Sequence, residues 1–248
     1  MNIAIILAGG VGSRFGANKP KQFVEVLGKP VIAYTIDTFQ KCKDIDAIEV
    51  VCVEAYIDYM YQIKEQYSFD KIKWITKGGK DFQQSVYNGI NNLENKIDDE
   101  DIVVIHFAAS PFIENDIIED NIRVCKKKGN AISSTDFYLL PGIKKSDSSV
   151  DDKLNYSDEY INRDRIACMN TPHSFRYRFI IDMYKEAIET GVISKVEPHT
   201  TTLMYALKKN IYFSKGSQTN IKITRQEDIY LFEGYVLMKR KNAKRENF

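Results

Sequence analysis

Between positions 7 and 23 the chain reads LAGGVGSRFGANKPKQF, with Gly9, Gly10 and Gly12 ahead of two spaced cations, Arg14 and Lys21. A residue without Cβ lets backbone N–H groups come close to an anion, and successive N–H groups in such a turn form a phosphate nest. Arginine and lysine behind the nest can bridge several phosphate oxygens. The chemistry is capture of a polyphosphate and stabilisation of charge building up at phosphorus. The same glycines also suit a plain tight turn after a strand. A dinucleotide fingerprint fits less well. Gly10, Gly12 and Gly16 are spaced GxGxxxG, and no acidic residue closes a second strand about 20 residues on.

The whole pattern, LAGG-x-G-x-R-x(6)-K-Q, resembles nucleotidyltransferases that make nucleotide-activated sugars and alditols. The ending Pro20-Lys21-Gln22-Phe23 narrows this to the cytidylyltransferases of the methylerythritol-phosphate and ribitol-phosphate type. The resemblance implies that Leu7, Ala8, Gly9, Gly10 and Gly12 wrap the CTP triphosphate. Arg14 and Lys21 would then stabilise the transferring group. Gly78-Gly79 with SVYNGI at 85–90 matches GG-x-x-R-x-x-S-V-x-N-G-L, implying that Gly78, Gly79 and Ser85 meet cytosine and ribose. Phe82 stands where that pattern has arginine.

Residues 105–112, IHFAASPF, differ from the family pattern IHDAARPF only at Phe107 and Ser110. The match assigns Ala108 to CTP and Ser110 to the acceptor pocket. Phe107 replaces an aspartate that helps hold Mg²⁺, and a phenyl ring is no ligand for a hard cation. Mg²⁺ or another divalent cation is therefore the implied cofactor, with its ligands left open. His106, ending an apolar run, reads as structural. Asn162-Arg163-Asp164 and NTPHSF at 170–175 resemble DR…QTPQ-x-F, assigning Arg163 (reaching across a dimer) and Thr171 to the acceptor. NIKIT at 220–224, followed by Glu227 and Asp228, matches NIK(I/V)T-x-x-E-D-L and makes Lys222 a bridge between nucleotide and acceptor phosphates. At 198–202 the chain reads PHTTT where relatives carry acidic residues.

Strand and helix patterns alternate to hold these motifs. Strands are expected at 2–7, 48–53, 72–76, 102–106, 131–134 and 211–214. Helices are expected at 30–41, 57–65, 82–93, 115–127, 175–188, 201–208 and 226–239. Alternation of this kind implies an α/β protein with a mostly parallel sheet covered on both faces. Ligands bind beyond the carboxyl ends of such strands, so the first loop and the turns after Thr76 and His106 share one cleft. The resemblance sharpens this to a three-layer α/β/α Rossmann-like nucleotidyltransferase fold, with 1–248 as a single domain. Polar, aperiodic residues 136–165 read either as a surface loop or, through the resemblance, as a protruding β-arm that builds a homodimer.

Composition is ordinary for a globular chain of 248 residues, with 44% hydrophobic and 28% charged residues. A net charge of +1 gives no overall attraction to nucleic acid or membrane, and the basic run at 239–245 reads as a solvated tail. Four dispersed cysteines and three histidines show no zinc-type spacing. Without a signal-like start or a long apolar run, the expected location is the cytoplasm. The expected activity is CTP-dependent transfer of CMP to an alditol or sugar phosphate, ribitol-5-phosphate-like or unusual, with release of pyrophosphate. The alternatives are a 2-C-methyl-D-erythritol 4-phosphate acceptor and a CTP-binding protein without catalysis; a dinucleotide oxidoreductase is disfavoured.

Overall fold

The computed structural model describes residues 1–10, 19–146 and 155–245, so Gly12 and Arg14 lie outside the described residues. The first half runs β1 (Asn2–Ala8), a small hairpin of β2 (Glu25–Val26) and β3 (Lys29–Pro30), α1 (Val31–Lys41), β4 (Ala47–Cys52), α2 (Ile57–Gln66), β5 (Ile72–Lys77), α3 (Phe82–Asn92), β6 (Ile102–Phe107) and α4 (Asn115–Lys128). The second half runs β7 (Asn130–Asp136), a two-stranded ribbon of β8 (Lys145–Ser146) and β9 (Asn155–Tyr156), β10 (Ala167–Arg176), α5 (Tyr177–Glu189), α6 (Thr200–Ala206), β11 (Phe213–Lys215) and α7 (Gln226–Arg245).

The main sheet has the order β11-β7-β10-β6-β1-β4-β5. Strand β1 lies between β4 and β6, parallel to both. Its alternate residues serve the two layers. Ile3, Ile5 and Leu7 enter the core under α3, α5 and α6. Ala4, Ile6 and Ala8 enter the core under α1, α2 and α4. A strand buried on both faces must be apolar throughout, which is why NIAIILA shows no polar alternation. A third core joins Phe232 and Val236 of α7 to Val26, Val31, Phe112 and Ile223.

The sequence pattern misses β10. This strand runs antiparallel to both β6 and β7, so one reversed strand stands inside an otherwise parallel sheet. The helix expected from Phe175 begins at Tyr177 instead. The segment ACMNTPHSFR contains a proline and buries Thr171, His173 and Ser174, so no apolar run marks it. Its polar groups are matched locally: the Ser174 hydroxyl donates to Asn121 Oδ1 (2.5 Å), and Asn121 Nδ2 donates to Ser214 Oγ (2.6 Å).

Among the described residues, those from 137 to 166 enter none of the three cores. They carry the β8–β9 ribbon, a bridge between Gly142 and Tyr160, and exposed Tyr138, Leu139, Leu140, Tyr156 and Tyr160.

Glu49 is buried in β4, where its Oε1 accepts from Thr76 Oγ1 (2.6 Å) and Asn92 Nδ2 (3.0 Å). Oε2 has no partner, and burial pushes the carboxyl up from 4.5 to about 7. The folded chain therefore holds a proton here that the unfolded chain releases above pH 4.5, and the associated stability is lost as pH rises toward 7. His106 and His173 act in the opposite sense. Burial lowers them to about 4 and about 3, so their contribution is lost as pH falls below 6.5. Glu49→Gln leaves the histidine contribution untouched and removes the other. Urea unfolding at pH 5 and pH 8.5 should show the variant gaining about 2 kcal/mol on the parent across that interval. Parallel behaviour of the two proteins would mean that Glu49 stays ionised in the fold.

Candidate active site

A cleft of about 700 Å³ opens beyond the carboxyl ends of β1, β4, β5 and β6, lined in that order by Gly9-Gly10, Val53-Glu54, Gly78-Gly79 and Phe107. Gly9 and Gly78 come from different turns and touch. A Cβ built on Gly78 would lie 3.2 Å from Gly9 Cα, and one on Gly9 would lie 2.9 Å from Ser85 Oγ. Side chains at these positions would wedge the two turns apart.

The Ser85 hydroxyl fixes the second turn, accepting from Gly79 N (3.0 Å) and donating to Asp81 O (2.8 Å). Asp81 caps α3 by accepting from Gln84 N (2.8 Å), which aims the helix N-terminus into the cleft. The first turn is held by buried Gln22, whose Nε2 donates to Ala8 O (2.8 Å) and Gly10 O (2.9 Å). An amide nitrogen has two protons to give and the turn has two carbonyls to satisfy. The glutamine of PKQF, given no task from sequence, thus shapes the mouth of the glycine loop.

Lys21 and Lys222, far apart in sequence, meet through Ile223. The Lys21 ammonium donates to Ile223 O (2.5 Å), and Ile223 N donates to Ala109 O (2.8 Å). The segment is anchored upstream by Asn220, buried, whose Nδ2 donates to Thr171 O (2.7 Å) while Asn170 Nδ2 donates to Asn220 O (2.5 Å). Downstream, Asp228 accepts from Thr224 N (2.7 Å) and Arg225 N (2.9 Å). Both lysines line the cleft.

The turn after β6 is braced from below. His106 Nε2 lies 3.0 Å from Ser110 O, and a carbonyl only accepts, so the proton sits on Nε2. Burial keeps this ring neutral at physiological pH. Thr35 Oγ1 donates to Ala108 O (2.9 Å) on the same turn.

A family description, 2-C-methyl-D-erythritol 4-phosphate cytidylyltransferase, matches residues 2–238. The chain belongs to that family. It is 35% identical to a ribitol-5-phosphate cytidylyltransferase of Lacticaseibacillus paracasei, covering 95% of this chain and 98% of the relative. It is 36% identical to a 2-C-methyl-D-erythritol 4-phosphate cytidylyltransferase of Clostridium acetobutylicum, covering 94% and 96%. The crystal structure of the 4-diphosphocytidyl-2C-methyl-D-erythritol synthase of Anaerococcus prevotii superposes with a TM-score of 0.76 at 27% identity, covering 95% of this chain and 96% of that one.

Of the residues expected to act, Leu7, Gly9, Gly10, Lys21, Gly78, Gly79, Ser85 and Lys222 line the cleft; Ala8 and Ala108 do not, because both side chains are buried in the core under α1, α2 and α4. Ser110 and Thr171, each 0% exposed, lie under the surface, and their hydroxyl oxygens have no hydrogen-bond partner. Arg163 is exposed, its Nη1 donating to Tyr138 O at 3.3 Å.

Three of the departures from the family motifs meet in space. Phe82 stacks on His199 with centroids 4.6 Å apart and planes 13° from parallel. Phe107 lies 5.6 Å from Phe82 and 6.3 Å from His199. His173, below, lies 6.2 Å from His199. Burial, and then the nearby Lys222 ammonium, lower the His199 pKa, favouring an uncharged ring. Three of the changed positions, Phe82, Phe107 and His199, form one aromatic wall, which no single motif reveals.

Proposed function

We propose that this chain is a CTP-dependent cytidylyltransferase that joins CMP to an alditol phosphate of the ribitol 5-phosphate kind, releasing pyrophosphate. The observation that carries the reading is that Lys21, tied to Ile223 O, and Lys222, the residue before Ile223, line one cleft with the touching glycine turns. The base and ribose would lie against Gly78, Gly79 and Ser85. The triphosphate would lie along the glycine loop, with Arg14 beside it. An acceptor phosphate oxygen attacks the α-phosphorus, the bond to pyrophosphate breaks, and the new phosphoanhydride forms. A phosphate monoester with a second pKa of about 6 is already a nucleophile at neutral pH, so no general base is needed. The lysines' share is positioning and charge stabilisation. Ser110 and Thr171 would shape the acceptor side from beneath, and Arg163 would complete it from the second subunit of a cytoplasmic homodimer built through the 136–165 arm.

The described side chains do not fit a protein-held divalent cation. Glu54 is ion-paired to Lys77 (2.6 Å) and Asp81 is engaged in capping α3. Among the described residues no group of three or more His, Cys, Asp or Glu side chains could hold a metal. A cation accompanying CTP would rest on phosphate oxygens and water. No described helix is long and apolar enough to cross a membrane.

The methylerythritol-phosphate reading stands second, because relatives of both names match at nearly equal identity. Pyrophosphate release from CTP and Mg²⁺, with ribitol 5-phosphate, 2-C-methylerythritol 4-phosphate and sugar phosphates as acceptors and UTP and ATP as controls, tests the proposal. Release with CTP and ribitol 5-phosphate is expected. Release only with 2-C-methylerythritol 4-phosphate selects the second reading. CTP binding without release from any acceptor would overturn catalysis.

A further inference from the structure

We propose that Phe107 is a positioning residue that holds the Lys222 ammonium on its ring face, steering the lysine's charge without neutralising it. This rests on the reading that Lys222 acts on phosphate groups. The Lys222 Nζ lies 3.4 Å from the Phe107 ring centroid, within the range in which an ammonium is drawn to the negative face of a phenyl ring. A carboxylate at this position would hold the lysine too, but would cancel its charge toward phosphate. The ring directs the ammonium and brings no negative formal charge of its own to offset it.

Both partners are fixed independently of each other. Phe107 pairs with Leu7 in the β6–β1 register, and its ring is flanked by Phe82 and His199. Lys222 sits between the Asn220–Thr171 hydrogen bond and the Ile223–Ala109 hydrogen bond. The neighbouring His199 ring brings no competing cation, since burial, and then the Lys222 ammonium, favour its neutral form. The aromatic wall therefore has a task in this site: the stacked Phe82–His199 pair keeps the Phe107 face turned to Lys222.

Phenylalanine carrying one, two and three ring fluorines, placed at position 107 of the full-length chain, tests the proposal. Fluorine drains the ring face of negative charge and barely alters its shape. The expected result is a stepwise fall in kcat, by about 3- to 30-fold across the series, with little change in the CTP KM. Lys222 acetylation by acetic anhydride, quantified by mass spectrometry, should accelerate in the same order. Fluorination of Phe175, buried in the core beside Phe179, serves as the control and should leave both readouts level. Phe107→Trp should keep activity that Phe107→Leu loses. Level acetylation across a folded position-107 series would overturn the seat. If the parent releases no pyrophosphate with any acceptor, the proposed function fails, and the acetylation series still decides whether Phe107 holds Lys222.

Discussion

Replacing Lys21 with alanine should lower turnover at least ~100-fold, with the fold intact. Removing one preorganised charge donor from a transition state costs about 3 kcal/mol, which is the basis of that figure. Lys21 carries a further load, because its ammonium also accounts for the 2.5 Å bond to Ile223 O. Alanine thus deletes a charge and loosens the tie between the loop and the segment bearing Lys222. Lys21→Arg separates the effects: it restores charge, but its planar fork differs from the compact ammonium that donates to Ile223 O here. The arginine variant should recover only part of the loss. Far-UV circular dichroism should match the parent for both variants, and the melting temperature of Lys21→Ala should fall by only a few degrees, as the lost bond to Ile223 O predicts. Turnover unchanged in Lys21→Ala would remove Lys21 from the mechanism.

The parts of this architecture governed by local pattern were legible in the sequence. The apolar run of β1 and the amphipathic spacing of α1, α3 and α4 report their own burial, and strand–helix alternation then dictates a cleft at the carboxyl ends of the strands. Strand β10 was not legible, since its burial is of Thr171, His173 and Ser174 against Asn121 and neighbouring strands, a pairing between distant polar residues. Gln22 was hidden for a similar reason: its partners are backbone carbonyls, which leave no trace in residue type. Phe82, Phe107 and His199 were each visible as departures, but sequence order separates what stacking joins. Ser110 and Thr171 carry polar side chains that suggest exposure, yet both are fully buried. Motif matching identifies positions; only the fold shows which way their side chains face.

Lys222→Met should be the most damaging single change among the residues proposed to meet the acceptor, lowering kcat by about 10²- to 10³-fold. Methionine keeps an unbranched apolar stem beside the Phe107 ring and removes the charge, so packing loss is small and the effect reports electrostatics. The double variant with Lys21→Ala decides whether the lysines act separately. Both are anchored through Ile223, one at its carbonyl and one as its chain neighbour, and residues sharing a partner are not expected to contribute additively. The double variant should therefore be little slower than the worse single variant, as when members of one catalytic unit are removed together. Losses that multiply would instead mean that Lys21 and Lys222 stabilise separate charges, one on the leaving pyrophosphate and one on the acceptor phosphate. In that case the Ile223 link would be a scaffold contact without catalytic consequence. The cycle thus distinguishes a single cationic clamp around the α-phosphorus from two independent phosphate holders.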